Sequence, residues 1–379
     1  MDLTPPVTTA LPARQQAIDV MRGLTLALMM VVNMSISETQ SYAPLVHALW
    51  HGLTLTDLVF PSFLFVVGAA MSFTLQRYQA QGTVTFLAKV GRRTALIFLC
   101  GYLLYWFPFF THDSVGHWVF KPWSETRIPG VLQRIALTYG IAACIVHVGG
   151  KKAAWIFSVF ALLLYWALLA IFGDDTLAGN AVLKFDRWLL GDAHLYKGEG
   201  IPFDPEGVLS TLPAVVNVLA GWLAGTVLRE RGATFETVSR LMLAAMVCLV
   251  VGLSWDAVLP FNKKLWTSSY VVIGTGVSLA VLAVLVDLVD VRRLGGRWTY
   301  FFEVFGRNTL ALYLMCELCM VVLWLSEIQG KAAMMWIFET AFQSWAGDKP
   351  GSLLFALLFM GAWWCVGWAM DRRKIYIRL

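Results

Sequence analysis

The chain has 379 residues, 58% hydrophobic and only 14% charged, with a formal net charge of +5. A soluble domain carries about a quarter charged residues. So large an apolar excess is more than one buried core can hold and makes lipid the solvent, while the small, uneven positive charge speaks for membrane orientation and against nucleic-acid binding.

A span needs about 20 mostly apolar residues. Segments near 17–36, 55–76, 91–110, 129–148, 153–172, 209–228, 239–258, 268–288, 301–325 and 352–370 qualify. They predict an all-α integral membrane protein, a bundle of about ten transmembrane helices in one polytopic domain over 1–379. The first sixteen residues are polar and no small-residue cleavage site follows the first apolar stretch, so the first span is expected to be retained. The stretch 332–346 is too short and polar to span and is expected to be an amphipathic or re-entrant piece. Basic residues choose the side. Arg77, Lys89, Arg92 and Arg93, Lys151 and Lys152, Arg229, Arg231 and Arg240, Arg292, Arg293 and Arg297, and the tail from Arg372 to Arg378 all fall on one side of such a bundle. That side is expected to be cytoplasmic, with both termini on it. The other side then holds the link at His47 and the long acidic link 173–208, whose Trp188, His194, Tyr196 and Phe203 predict an ordered cap. The six cysteines lie in apolar segments without zinc-ligand or CxxC spacing and read as small apolar helix residues.

Ionisable residues at membrane depth are costly and kept for a task. In the first helix Asp19 and Arg22 share a face. Asn33 lies close to three turns beyond Arg22 on that face, about 16 Å further out. The next link, His47-Ala-Leu-Trp50-His51-Gly52-Leu-Thr54-Leu-Thr-Asp57, crowds two imidazoles, an indole, a glycine and a carboxylate between two apolar segments. A histidine beside a carboxylate is suited to moving protons. Asp57 also falls in the first turn of the second helix, capped by Thr54 or Thr56, where a carboxylate suits the dipole. Catalytic partner and helix-start charge are both open for it.

Arg127-Ile-Pro129-Gly130-Val-Leu-Gln133-Arg134 opens the fourth span. Two guanidinium groups and an amide in line suit carboxylates, phosphates or sugar hydroxyls, or an ion pair with Asp57 or another buried acid. In Asp204-Pro-Glu206-Gly207, Glu206 either receives a cationic amine or is a solvated loop carboxylate, and Asn262-Lys263 enters the eighth span in the same way. In the ninth span Glu303 and Arg307 are spaced as a pair, and Glu317, amid an apolar run, needs a partner. There is no Walker A sequence, usable GxGxxG, HExxH or nucleophile elbow, so no metal is expected and any cofactor has to be held by the bundle itself.

These residues carry a resemblance. The chain resembles the heparan-α-glucosaminide N-acetyltransferase family over nearly its whole length, through Asp19-x-x-Arg22-Gly23 with Asn33, His47-Ala-x-Trp50-x-Gly52-Leu-Thr54 with Asp57-Leu-Val-Phe60-Pro61, and the Arg127–Arg134 run. Leu190-Gly191-Asp192-x-His194-Leu-Tyr196, Asp204-Pro-Glu206-Gly207 and Asn262-Lys263-x-Leu-Trp266 add to it. The resemblance implies transfer of acetyl from cytoplasmic acetyl-CoA to the amine of a glucosamine-type sugar on the other side. His47 falls on the family's proposed catalytic histidine and Asn33 on its helix-one asparagine. His51 stands where the family often has Asn and puts a second imidazole beside the site. The likeness also implies a homodimer. The compact loops, without the extra N-terminal segment of lysosomal members, imply a bacterial relative in the inner membrane.

On this reading neutral His47 takes a proton from the amine and Asn33 donates to the oxyanion. Asp57 orients His47 or holds the amine. Trp50, His51, Glu206, Asn262 and Lys263 bind the sugar. The CoA phosphates need cations, for which Arg22, Arg92 and Arg93 are candidates by topology and Arg127 and Arg134, with Gln133, by motif. An acetyl-histidine intermediate is the rival route. An amino-sugar transporter without chemistry and an envelope-glycan O-acetyltransferase are the alternative functions.

Overall fold

The computed structural model describes residues 15–37, 39–112 and 117–377. The helices, in order, are α1 (Gln16–Asn33), α2 (Leu55–Gln79), α3 (Thr83–Trp106), α4 (Val131–Phe172), α5 (Ala181–Leu190), α6 (Thr211–Arg231) and α7 (Phe235–Asp256). Then come α8 (Ser268–Leu285), continued by a wider turn to Val291, α9 (Arg297–Arg307), α10 (Thr309–Leu325), α11 (Ala333–Phe338), α12 (Ser344–Ala346) and α13 (Asp348–Arg372). Two short antiparallel hairpins, Phe110–His112 with Trp118–Phe120 and Glu327–Ile328 with Lys331–Ala332, are the strands among the described residues.

Among the described residues seven helices are long and apolar enough to cross a membrane, and the α9–α10 pair would be an eighth. They form two layers. The apolar windows of α1, α2, α6 and α8 are 61–78% buried against other helices, whereas those of α4, α7 and α13 are 17–22% buried. Leu243, Val247 and Val250 of α7 and Trp155, Val159 and Phe160 of α4 face outward. Exposed side chains this apolar are stable only where lipid replaces water.

Three expected boundaries differ, the first being α3, which runs Thr83–Trp106 where 91–110 is expected. The segments 129–148 and 153–172 are continuous except at Gly150, whose φ of 54° and ψ of −139° break the helix. The two halves of α4 run in opposite directions. Arg134, at its start, binds Gly207 and Ser210 at the start of α6, and Phe172, at its end, accepts from Lys184 in the link before α6. The turn between them meets the far end of α6 through Lys151 and Glu230. The segment 301–325 is not one straight helix but bends by 75°. Asn308 leaves the helical region at the bend, with its amide bound to the tail at Ile375 O (2.9 Å) and Ile377 N (3.0 Å). Pairing side-chain amide with backbone offsets the lost helical bonds. The link 173–208 carries α5 and the turn Asp192–His194.

The inner layer depends on backbone contact. A Cβ on Gly68 of α2 would lie 1.8 Å from Val218 O of α6, and one on Gly221 of α6 would lie 1.8 Å from Phe65 O of α2. A Cβ on Gly23 would lie 1.7 Å from Phe302 O, so α1 and α9 cross as closely. Small residues permit such crossings in membranes, where packing replaces the hydrophobic effect. Gly221→Val is expected to destabilise the detergent-solubilised protein by about 1–3 kcal/mol, the usual cost of overpacking. An unchanged melting temperature would show that α2 and α6 can part without cost.

Candidate functional site

The chain leaves α1 at Asn33, passes through the turn Ala43–Leu45 and re-enters at α2. Gly52 makes this return possible. Its φ of 119° is accessible to glycine, and its N–H donates to Phe261 O at 2.8 Å, pinning the link to that between α7 and α8. The link folds onto one carboxylate. Asp57, whose side chain is 0% exposed, accepts from His47 Nδ1 at 2.7 Å, Ala48 N at 3.2 Å, and Thr54 N and Oγ1 at 3.0 Å each. The bond from Thr54 N is half of a capping box. Asp57 is thus both the helix-start charge and the partner of His47.

An acceptor on Nδ1 makes that nitrogen the imidazole donor and turns the Nε2 lone pair outward. Lys263 Nζ lies 3.3 Å from Nε2. Burial against the site lowers the His47 pKa, Asp57 opposes this and Lys263 adds to it, leaving it below the ordinary histidine value. Burial also lowers Lys263, against the pull of Glu206 and Asp57. Lys263 is projected by a tight turn in which fully buried Asn262 Oδ1 accepts from Leu265 N at 2.8 Å. Asn262 therefore shapes the turn.

Arg127 lies at the same end, sandwiched between the rings of Tyr105 (4.7 Å) and Tyr196 (4.8 Å). Its Nε and Nη2 donate to the two oxygens of Asp204 at 2.8 and 2.7 Å, and Nη2 also donates to Glu206 Oε2 at 2.7 Å. Burial would raise Glu206, but Arg127, then Lys263 and Arg134, hold it below the ordinary glutamate range. Arg134 is buried over the Trp266 ring at 4.7 Å and donates to Gly207 O and Ser210 Oγ. Gln133 is buried against Gly101. Burial pushes Asp186 up to about 7, although Val208 N and Leu209 N bind it and so tie α5 to the start of α6. Trp50 donates through Nε1 to Asp175 O at 2.5 Å, its ring between His51 (6.1 Å) and Phe203 (6.0 Å). His51 is exposed, and among the described residues no carboxylate binds it. Asn33 Nδ2 donates to Glu317 Oε1 of α10 at 3.0 Å.

A cavity of about 910 Å³ enters from the opposite, arginine-rich end, between α1, α2, α3, α4 and the α9–α10 pair. Arg22, Arg77, Arg93 and Arg307 line it. It follows α1 from Asp19 to Met29, about 15 Å at 1.5 Å per residue, and reaches Val131 and Tyr313. Arg22 is held by Asp19 Oδ1 at 2.8 Å and Gly306 O at 2.7 Å. Arg93 stands over the Tyr139 ring at 4.9 Å. Arg93 Nε, Tyr139 OH and Arg307 Nε are buried without hydrogen-bond partners. Unpaired buried donors are costly and mark places where a ligand or water completes the bonding. Cations and orphaned donors around a deep, partly apolar cavity fit a phosphate-bearing ligand with a long arm.

The structure therefore brings His47, Asp57, Lys263, Glu206 and Arg127 together at one end and places Arg22 and Arg93 on the cavity from the other. It places Arg127 and Arg134 away from that cavity's arginines, in pairs with acids and carbonyls. Arg92 is exposed. Sequence reading passed over Tyr105, Tyr196, Arg77, Arg307 and Tyr313 as site residues. Arg307 looked satisfied by Glu303 and is (2.6 Å), yet it also reaches Asp371 at 2.7 Å and lines the cavity. Tyr105 carried no signal beyond aromatic content, whereas Tyr196 closes the motif that begins at Leu190 and could have been singled out there.

A sequence profile described as "Heparan-alpha-glucosaminide N-acetyltransferase, catalytic" matches residues 14–259. The match includes Arg22, Asn33, His47, Asp57, Arg127 and Glu206 and stops short of Lys263, Arg307 and Glu317. Among curated proteins the chain is 28% identical over 364 residues to human heparan-alpha-glucosaminide N-acetyltransferase, covering 80% of this chain and 53% of that protein. It is 27% identical over 373 residues to the Mus musculus protein of the same name, covering 82% and 54%. The chain spans about half the length of these curated relatives. With the profile matched over more than half of its residues, the chain belongs to the heparan-alpha-glucosaminide N-acetyltransferase family.

Proposed function

We propose that this protein is a transmembrane acetyltransferase that takes acetyl from acetyl-CoA at its basic end and passes it to the amine of a glucosamine-type sugar at the end holding His47. One observation carries the reading: an imidazole held between Asp57 and Lys263 stands at one end, and an arginine-lined cavity runs toward that end from the other. Treating α4 as two spans and adding α3 to the candidate helices gives about ten crossings. The clustering of Arg and Lys at one end supports a cytoplasmic setting for it, with both termini there, in a cell's inner membrane.

The cavity arginines bind the CoA phosphates, and its apolar wall carries the pantetheine arm toward Tyr313. The acceptor amine enters beside His47 and takes the place of Lys263 on Nε2. Attack forms the C–N bond, His47 Nε2 takes the amine proton, and Asp57 holds the resulting imidazolium. Asn33 donates to the oxyanion. The C–S bond then breaks, and His47 returns the proton to the departing thiolate. Lys263 disfavours premature protonation of His47, since like charges repel. Trp50 and Glu206 line the approach for the sugar. The break at Asn308 is the one observation that favours transport, because transporter sites use broken helices. Asn308 is taken up by the tail, however, which favours a structural role for the break.

In purified full-length protein, His47→Ala is expected to lower kcat for acetyl-CoA-dependent glucosamine acetylation by about 100- to 10,000-fold, the span of general-base losses. Labelled acetyl-CoA without sugar is expected to leave no label on the protein. Retained label that disappears in His47→Ala would replace direct transfer with the acetyl-histidine route, and wild type without turnover or acetyl-CoA binding would favour transport. Because His47 sits below its ordinary value, its neutral form persists into mildly acidic solution. The acid limb of kcat/KM is expected below pH 6.5 and should move upward in Lys263→Met, which removes a cation. A limb unmoved by that change would separate Lys263 from the base. Arg93→Ala should raise KM for acetyl-CoA by about 10- to 100-fold, as expected for one charged hydrogen bond, with kcat within about threefold. The opposite split would place the donor elsewhere.

A further inference from the structure

Glu317 lies in α10 within the apolar run Leu314-Met315-Cys316-Glu317-Leu318-Cys319-Met320, beyond the profile-matched segment. A carboxylate in such surroundings is costly unless its oxygens are bonded. One neutral donor meets it, Asn33 Nδ2 at 3.0 Å, and Tyr313 stands one turn back on its own helix. No cation pairs with Glu317 among the described residues, so it is not one half of a structural ion pair. Asn33 terminates α1, and Tyr313 lines the inner cavity. Glu317 thus joins the last residue of α1 to the wall of the donor cavity.

We propose that Glu317 is a positioning residue for acetyl transfer, which fixes the Asn33 amide. A primary amide can turn over and exchange its oxygen for its nitrogen at little cost in an isotropic setting. A carboxylate accepts but does not donate, so Glu317 selects the orientation with Nδ2 toward its own oxygen. One amide hydrogen is then committed to Glu317, and the second is left as a donor of fixed direction. A preorganised donor stabilises an oxyanion far better than one that must turn during the reaction. The 75° bend between α9 and α10 belongs to the same device, because it sets the direction of the helix that presents Glu317 to α1. The inference rests on acetyl transfer with Asn33 as the oxyanion donor.

The test uses full-length protein in detergent with acetyl-CoA and glucosamine. Wild type without turnover would remove the acetyl-transfer reading itself, separately from this one. With active wild type, Glu317→Leu is expected to lower kcat about 10- to 100-fold, the scale of a misdirected oxyanion donor, with KM for acetyl-CoA within about threefold. Glu317→Gln, which can still accept from Asn33 through Oε1, should keep kcat within about fivefold. Asn33→Ala combined with Glu317→Leu should be no slower than Asn33→Ala alone, because the two act as one unit. Glu317→Leu as fast as wild type, Glu317→Gln as slow as Glu317→Leu, or losses that multiply in the double variant would each overturn the proposal. If Glu317→Leu does not fold, Glu317→Gln decides alone, and a drop of about tenfold or more overturns it.

Discussion

The His47 end of this protein is organised by the need to satisfy one carboxylate that solvent does not reach. Asp57 collects four hydrogen bonds from three residues of the preceding link. A buried carboxylate left short of donors would cost several kcal/mol, so the link has little freedom to adopt another path. The same bonds cap α2, set the tautomer of His47 and aim Nε2 at Lys263. Tyr270 adds a bond to the Asp57 carbonyl at 2.5 Å and so extends the constraint to α8. Helix start and imidazole are one construction, and neither can shift without the other.

Electrostatics divides the rest of the molecule. At the His47 end Arg127 is paired with Asp204 and Glu206 and Lys264 with Glu199 at 2.6 Å, while Arg134 is held by Gly207 O and Ser210 Oγ and keeps Nε and Nη1 without hydrogen-bond partners. This leaves a nearly balanced cluster able to hold a polar, weakly charged ligand. At the other end Arg93 and Arg307 keep donors without partners beside the cavity, a setting suited to anions. The two ends are joined by an inner layer whose helices touch backbone to backbone at Gly23, Gly68 and Gly221. That closeness holds α1 against α9 and α2 against α6, while the looser outer helices present exposed apolar faces.

Much of this was legible in the sequence. Apolar length located most of the long helices, because a span's requirement is local and compositional, although α3 begins eight residues before its expected start. The polar cluster at His47–Asp57 stood out because such residues are rare between apolar segments. The bend at Asn308 was not legible, since its cause is a tail residue more than sixty positions away. Nor was the fate of Arg127. A guanidinium ready for phosphate and one already clamped by two acids have the same sequence, and the acids come from the link before α6.

Alone, the sequence determined the solvent, the helical class, the family motifs and the residues worth suspecting, since these follow from composition and from spacing along one helix. The tertiary structure decided which suspects meet. It gave Asp57 to His47, set Lys263 against Nε2, paired Asn33 with Glu317 and put Arg22 and Arg93, but not Arg127, on the cavity wall. The reason is geometric: hydrogen bonds act over about 3 Å, and which distant side chains come that close is fixed by how the helices cross.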